Sequence, residues 1–92
     1  MSYVLEFSKI ALEDIEKHKK SGNKPILKKL QNLLNELMEH PTTGTGKPEM
    51  LKRDLKGLYS RRINHEHRLV YEIKEEIVVV YVLSAYAHYG DK

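Results

Sequence analysis

The chain contains no cysteine, which excludes disulfide bonds and thiolate metal sites. Long hydrophobic runs are also missing, because the longest covers residues 77–83 and a membrane span needs ~20 apolar residues. Residues 1–7 lack the basic start and the apolar core of a signal peptide. These absences predict a cytoplasmic protein with no transmembrane segment.

The chain is short as well. Ninety-two residues make about one small domain, which buries roughly 60–65% of the surface that its unfolded chain exposes. We therefore predict a single domain over residues 1–92, with any functional site on a shallow face. A shallow site favours a large substrate over a small molecule.

Positive charge is concentrated in one part of the sequence. The formal net charge is only +3, but residues 44–71 hold seven Lys or Arg against three acidic residues, a net charge of +4. The remaining residues together carry −1. This distribution favours RNA or DNA as a partner of the segment 44–71, although a solvated surface explains many such runs.

Two helices are predicted after a short strand over residues 3–7. Ser8 offers a hydroxyl that caps the first helix, which ends at residues 21–23. Asp14 falls on its charged side. The predicted buried stripe of this helix consists of Ile10, Ala11, Leu12 and Ile15. Pro25 suits the first turn of a second, antiparallel helix, whose apolar periodicity continues to residues 40–41.

A long loop and three strands make up the rest of the prediction. Residues 41–57 lack periodicity and are rich in glycine and proline, which indicates a loop with a function. Strands are predicted over residues 58–63, 68–74 and 77–83, forming an antiparallel meander. The fold class is therefore α+β, with both helices packed on one side of a small, mainly antiparallel sheet. Alternation places Arg68 and Val70 on the open face of that sheet.

The polar residues of the loop, the hairpin and the C-terminus suit the cutting of a phosphodiester. RNA cleavage without a metal needs a base for the ribose 2′-hydroxyl, positive charge on the phosphorane and an acid for the leaving oxygen. Glu49 would be the base, Arg68 with Arg62 would supply the charge, and His88 would be the acid. Because a glutamate is a weak base, Glu49 has the alternative role of positioning the hydroxyl or holding Arg68.

Other interpretations stay open beside this one. Each candidate taken singly is more often an ordinary surface residue, and Tyr59, Tyr86 and Tyr89 could stack on bases. His65 and His67 lack a third ligand, so no metal site and no cofactor are predicted. A non-catalytic inhibitor that binds RNA through the same basic face is the main alternative. A small DNA-binding regulator is disfavoured, since neither helix clusters basic and amide residues.

Five segments resemble, in order, the YoeB/Txe toxins of the RelE superfamily. They are GTGKPEMLK at 44–52, LKG at 55–57, SRRI at 60–63, HRLVY at 67–71 and HY at 88–89. The resemblance implies the RelE-like microbial RNase fold. It also implies the toxin of a type II toxin-antitoxin pair, an endoribonuclease that cuts mRNA in the ribosomal A site without a metal and leaves a cyclic phosphate. A cognate antitoxin of the YefM/Axe type and possible homodimers are the implied partners.

The resemblance also assigns roles residue by residue. The family's catalytic residues fall on four positions of this sequence: Glu49, Arg68, His88 and Tyr89. Its basic positions near the substrate fall on Lys52 and Arg62, and Lys47 is expected to contact RNA as well. Two features depart from the family pattern, namely the tail over residues 90–92 after the His-Tyr pair and the lysine-rich stretch over residues 17–24.

Overall fold

A computed structural model describes residues 2–46, 48–50 and 58–86 of the chain. The strands are β1 (Val4–Phe7), β2 (Glu49–Met50), β3 (Leu58–Arg62), β4 (Arg68–Lys74) and β5 (Val79–Ser84). The helices are α1 (Lys9–Ser21) and α2 (Lys24–Glu39), both between β1 and β2. The predicted α+β class, with two helices on a small sheet, is confirmed.

The five strands form one sheet in the order β1-β5-β4-β3-β2. β2, β3, β4 and β5 pair antiparallel with their neighbours, whereas β1 pairs parallel with β5, so the sheet is mainly antiparallel as predicted. The two-residue strand β2 was not predicted, because its pairing with β3 depends on contacts distant in sequence and leaves no periodic pattern. The predicted strand start at residue 77 is also wrong, since Glu75–Ile77 form a 3-10 turn and Val78 has a positive φ.

Local capping explains where the helices begin and end. The Ser8 side chain accepts a hydrogen bond from the Ala11 N–H, and Gly22 closes α1 in the left-handed conformation that glycine adopts without strain. The Asn23 side chain caps α2, and Pro25 lies in its first turn. These caps confirm the predicted helix boundaries to within a residue or two.

The main core lies between the helices and one face of the sheet. It includes Leu30, Leu33 and Leu37 of α2, with Leu69 and Tyr71 of β4 and Val80 and Val82 of β5. Val70, predicted on the open face with Arg68, is only 1% exposed but lies outside this cluster. The open face of the sheet is therefore not uniformly solvated.

The buried side of α1 differs from the predicted apolar stripe. Ile10 and Leu12 are 61% and 56% exposed, whereas Asp14 and His18 are buried. The Asp14 carboxylate accepts a hydrogen bond from the Ala85 N–H at 2.9 Å, and the His18 ring bonds the Ala85 carbonyl at 2.7 Å. Polar residues face inward here because the backbone just beyond β5 needs hydrogen-bond partners.

Candidate active site

A small cleft opens where β2, β3 and β4 meet. It holds about 210 Å³ and is lined by Gly46, Pro48, Glu49, Arg62 and Arg68; we refer to it as the Arg68 hollow. Arg62 and Arg68 lie opposite each other on neighbouring strands. Like charges in that arrangement repel, so the pair suits an anion bound between them. The hollow therefore has the charge and the shallow shape that a phosphate group requires.

Arg68 is oriented by two contacts within the protein. Its Nη1 donates a hydrogen bond to the Ser60 hydroxyl at 3.1 Å and lies 3.7 Å from Oε1 of Glu49. Ser60 is buried, the Arg68 side chain is 23% exposed and the Glu49 side chain is 69% exposed. The guanidinium thus keeps donors available for a ligand while one face rests on the protein. Sequence reasoning missed Ser60, although its alternation with Arg62 placed both on the same strand face.

The loop that leads to Glu49 is held by a second arginine. Arg61 is completely buried and donates from its guanidinium to Glu36 Oε1 at 2.9 Å and to Tyr71 Oη at 3.1 Å. It also donates to the backbone carbonyls of His40, Thr43 and Thr45. One side chain therefore ties three points of the loop after α2 to strand β3.

The same loop is fixed at Gly46, next to the hollow. The Arg62 N–H donates to the Gly46 carbonyl at 2.7 Å, and Gly46 has a φ of +86°. A side-chain carbon at this position would lie 2.9 Å from the Arg62 carbonyl oxygen, too close for a real contact. Glycine is required here because the loop backbone approaches β3 directly.

The electrostatics of this loop depend on Glu36 and Tyr71. Partial burial raises the pKa of the Glu36 carboxyl, but hydrogen bonds from Thr45 and the contact with Arg61 outweigh it and hold that pKa below its ordinary value. Burial raises the pKa of the Tyr71 hydroxyl, although Arg61 opposes the shift. Glu36 is thus an anion and Tyr71 neutral around the buried Arg61 guanidinium.

An aromatic cluster lies where α1, the β3–β4 turn and the end of β5 meet. The His18 ring contacts the His67 ring edge to face at 4.8 Å, and the Tyr86 ring lies 5.1 Å and 4.5 Å from those two. Lys17 Nζ lies 4.8 Å from the centre of the Tyr86 ring. With Asp14 and His18 on Ala85, this cluster fixes the last described residues of the chain, shortly before position 88.

Three of the predicted site residues lie together: Glu49, Arg62 and Arg68 all line the Arg68 hollow. Four others, Lys47, Lys52, His88 and Tyr89, lie outside the described residues. Among residues 2–46, 48–50 and 58–86, no three His, Cys, Asp or Glu side chains are grouped so that they could hold a metal ion. In the same part of the chain, neither helix is long and apolar enough to cross a membrane.

Comparison with known proteins assigns the family. A model of the YoeB-like toxins of bacterial type II toxin-antitoxin systems matches residues 7–89. The chain belongs to this family. This YoeB-like toxin is 39% identical over 85 residues to a Toxin YoeB of Synechocystis sp., a match that covers 88% of this chain and 96% of the relative.

Solved structures of other YoeB-like toxins have the same fold. A YoeB dimer from Staphylococcus aureus matches with a TM-score of 0.80 at 40% identity, covering 97% of this chain and all of that one. The toxin of a YoeB-YefM complex from the same organism matches with a TM-score of 0.77 at 41% identity over the same share. The present toxin thus shares both sequence and architecture with the family, as its motifs predicted.

Proposed function

We propose that this YoeB-like toxin is an mRNA interferase, an endoribonuclease that cuts messages in the ribosomal A site. The observation that carries the proposal is the Arg68 hollow, where Glu49 and two arginines line a space large enough to admit a phosphate group. The family assignment supports a toxin role, and the hollow supports the chemistry.

In the proposed reaction the ribose 2′-hydroxyl attacks the adjacent phosphorus and no metal takes part. Arg68 and Arg62 stabilise the negative charge that develops on the phosphorane oxygens. Glu49 accepts the hydroxyl proton or, as its contact with Arg68 favours equally, holds that guanidinium in place. His88 protonates the departing 5′ oxygen. Tyr89 is the fourth catalytic residue. Lys47 and Lys52 bind the RNA backbone.

Two partners complete the proposal. A YefM-type antitoxin is the inhibitor, supported by the YoeB-YefM complex of a relative 41% identical to this chain. A homodimer is supported by the Staphylococcus aureus YoeB dimer. Both partners would be found by co-expression and size measurement in solution.

The test is a cleavage assay on translating ribosomes with a defined message in the presence of EDTA. Cuts within the A-site codon are expected, and uncut message contradicts the proposal. His88→Ala separates an enzyme from a non-catalytic inhibitor, because an enzyme loses at least roughly 100-fold in rate without its acid. A protein that only blocks the A site keeps its inhibition of translation in that variant.

A further inference from the structure

The Arg68 hollow is the first of three adjoining hollows. The second, here the Lys29 hollow, holds about 230 Å³ and is lined by Lys29, Gly46, Arg62, Ile63 and Asn64. The third, the corner hollow, holds about 380 Å³ and is lined by Asn23, Pro25, Ile26, Lys29, Ile63 and Asn64. Neighbouring hollows share lining residues, so the three lie in a row from the candidate active site to the corner between α1 and α2; we refer to this row as the groove.

This groove is positively charged along its length. Arg62 lies between the first two hollows and Lys29 between the last two. Among the described residues, no Asp or Glu lines the Lys29 hollow or the corner hollow. Residues 17–29, which run from the end of α1 into α2, contain six lysines and no acidic residue. The net charge of the whole chain conceals this cluster, because acidic residues elsewhere cancel it.

The opposite end of the sheet has the opposite character. β4 runs from Arg68 to Lys74, a distance of about 20 Å at the rise of an extended strand. The hollow at its far end is lined by Glu72, Ile73, Lys74, Glu75, Glu76 and Ile77, which include three carboxylates. An RNA strand that extends from the Arg68 hollow along β4 would meet these carboxylates, whereas a strand that extends the other way meets Lys29.

Lys29 is well placed to contact a phosphate. It lies on α2 one turn after Pro25 and is half-buried between the helix and the β3–β4 turn. Within the part of the chain that the structure describes, no carboxylate forms an ion pair with it. Lys24 and Lys28 are exposed on the same helix, one turn apart and about 6 Å from each other.

We propose that the Lys29 hollow and the corner hollow bind the sugar-phosphate backbone of the RNA strand whose scissile linkage lies in the Arg68 hollow. Lys29 contacts the phosphate nearest the cleft. Lys24 and Lys28 do not line either hollow but are exposed next to residues that do, and they contact phosphates further along the strand. The inference rests on the proposed function in that the Arg68 hollow is taken as the site of cleavage. It adds three lysines that take no part in the reaction itself.

The test measures the binding of 2′-O-methylated RNA, which cannot attack its own phosphate, by fluorescence anisotropy. Two lengths are compared: a dinucleotide, whose single phosphate enters the Arg68 hollow, and about 14 nucleotides, which extend along the groove. In Lys29→Gln, the affinity for the longer RNA should fall about fivefold at ~0.1 M salt, as one lost contact to single-stranded RNA predicts. For this variant, the plot of log affinity against log salt concentration should become shallower by about 0.7. The shorter RNA should bind unchanged.

Controls separate the groove from general charge effects. Lys24→Gln combined with Lys28→Gln should weaken only the longer RNA, while Lys74→Gln, at the acidic end of β4, should weaken neither. Unchanged melting temperatures show that all variants fold.

Three results would overturn the inference. If the longer RNA binds more tightly than the shorter one but none of the lysine substitutions matters, the groove is excluded while the proposed function stands. If the wild-type protein binds both RNAs with equal affinity, the groove is excluded, and the proposed function is still decided by the cleavage assay on ribosomes. If the substitutions weaken binding of a polyglutamate peptide but not of RNA, the corner is a protein-binding surface instead.

Discussion

Arg61 and Arg68 are the same residue type on paired strands, yet they have opposite surroundings. Arg61 is fully buried and donates to a carboxylate, a tyrosine hydroxyl and three backbone carbonyls. Arg68 is partly exposed and has one hydrogen bond to Ser60 and a longer contact with Glu49. A guanidinium whose donors are all occupied by the protein builds structure, whereas one with donors to spare can bind a ligand.

The two sites are also physically connected. Arg61 fixes the loop that runs from His40 to Thr45, and that loop continues through Gly46 to Glu49 at the Arg68 hollow. The buried site therefore positions the exposed one, because Glu49 is reached through the backbone that Arg61 holds. Replacing Arg68 should therefore affect the chemistry with little change in stability, whereas replacing Arg61 should lower the stability and also disturb the position of Glu49.

The largest expected effect is the loss of stability in Arg61→Ala. Removing this side chain takes the charged partner from Glu36 and the guanidinium donors from the carbonyls of Thr43 and Thr45, which should lower the free energy of unfolding by roughly 3 to 5 kcal/mol. Urea unfolding followed by circular dichroism measures it. The matched control is Arg62→Ala, which removes the exposed neighbouring arginine. Its free energy of unfolding should change by no more than about 0.5 kcal/mol. Equal losses in both variants would contradict the contrast between the two arginines.

Arg68→Ala should produce the reverse result. The rate of message cleavage on ribosomes should fall at least roughly 100-fold, since a charge fixed on the developing oxyanion is lost. The free energy of unfolding should hardly change, because the Arg68 side chain is partly exposed and has few partners. Arg68→Lys should recover only part of the activity, as a lysine cannot bind a phosphate in two places. Full activity in Arg68→Ala would show that Arg68 takes no part in the reaction.

A smaller effect is expected at Asp14. In Asp14→Ala the buried N–H of Ala85 loses its acceptor, which should reduce the free energy of unfolding by about 1 to 3 kcal/mol. Glu13→Ala, at the exposed neighbouring position on α1, is the control and should be nearly neutral. A neutral Asp14→Ala would show that this backbone group is satisfied in another way.

The smallest effect is the acid sensitivity of the Arg61 site. Because the pKa of Glu36 is lower in the folded protein than in the unfolded chain, its ionised form contributes stability above the ordinary value of ~4.3. That contribution disappears as the pH falls through the lowered pKa. The difference in free energy of unfolding between the wild type and Glu36→Gln should therefore be largest above about pH 5 and shrink towards pH 3. A difference independent of pH would argue against the Glu36–Arg61 contact.

Local patterns in the sequence were sufficient for most of the fold. Ser8, Gly22, Asn23 and Pro25 mark the helix ends through interactions within a few residues, so both helices were predictable. Alternation predicted β4 to the residue because one of its faces is buried in the core. Glu49, Arg62 and Arg68 were predicted at one site, and the structure brings them together. The roles of these residues remain a proposal.

The tertiary structure alone decided which polar residues turn inward. Asp14 and His18 have the appearance of surface residues, and they are buried only because the end of β5 presents unpaired backbone groups to them. The burial of Arg61 was not predictable either. Tyr59, on the same face of β3, was expected to stack on bases, but it packs against the core, and the partners of Arg61 lie up to 25 residues away. The positive groove likewise depends on Lys29 lying beside Arg62. Hydrogen bonds and charges between distant segments exist only once the chain has folded, so no local pattern records them.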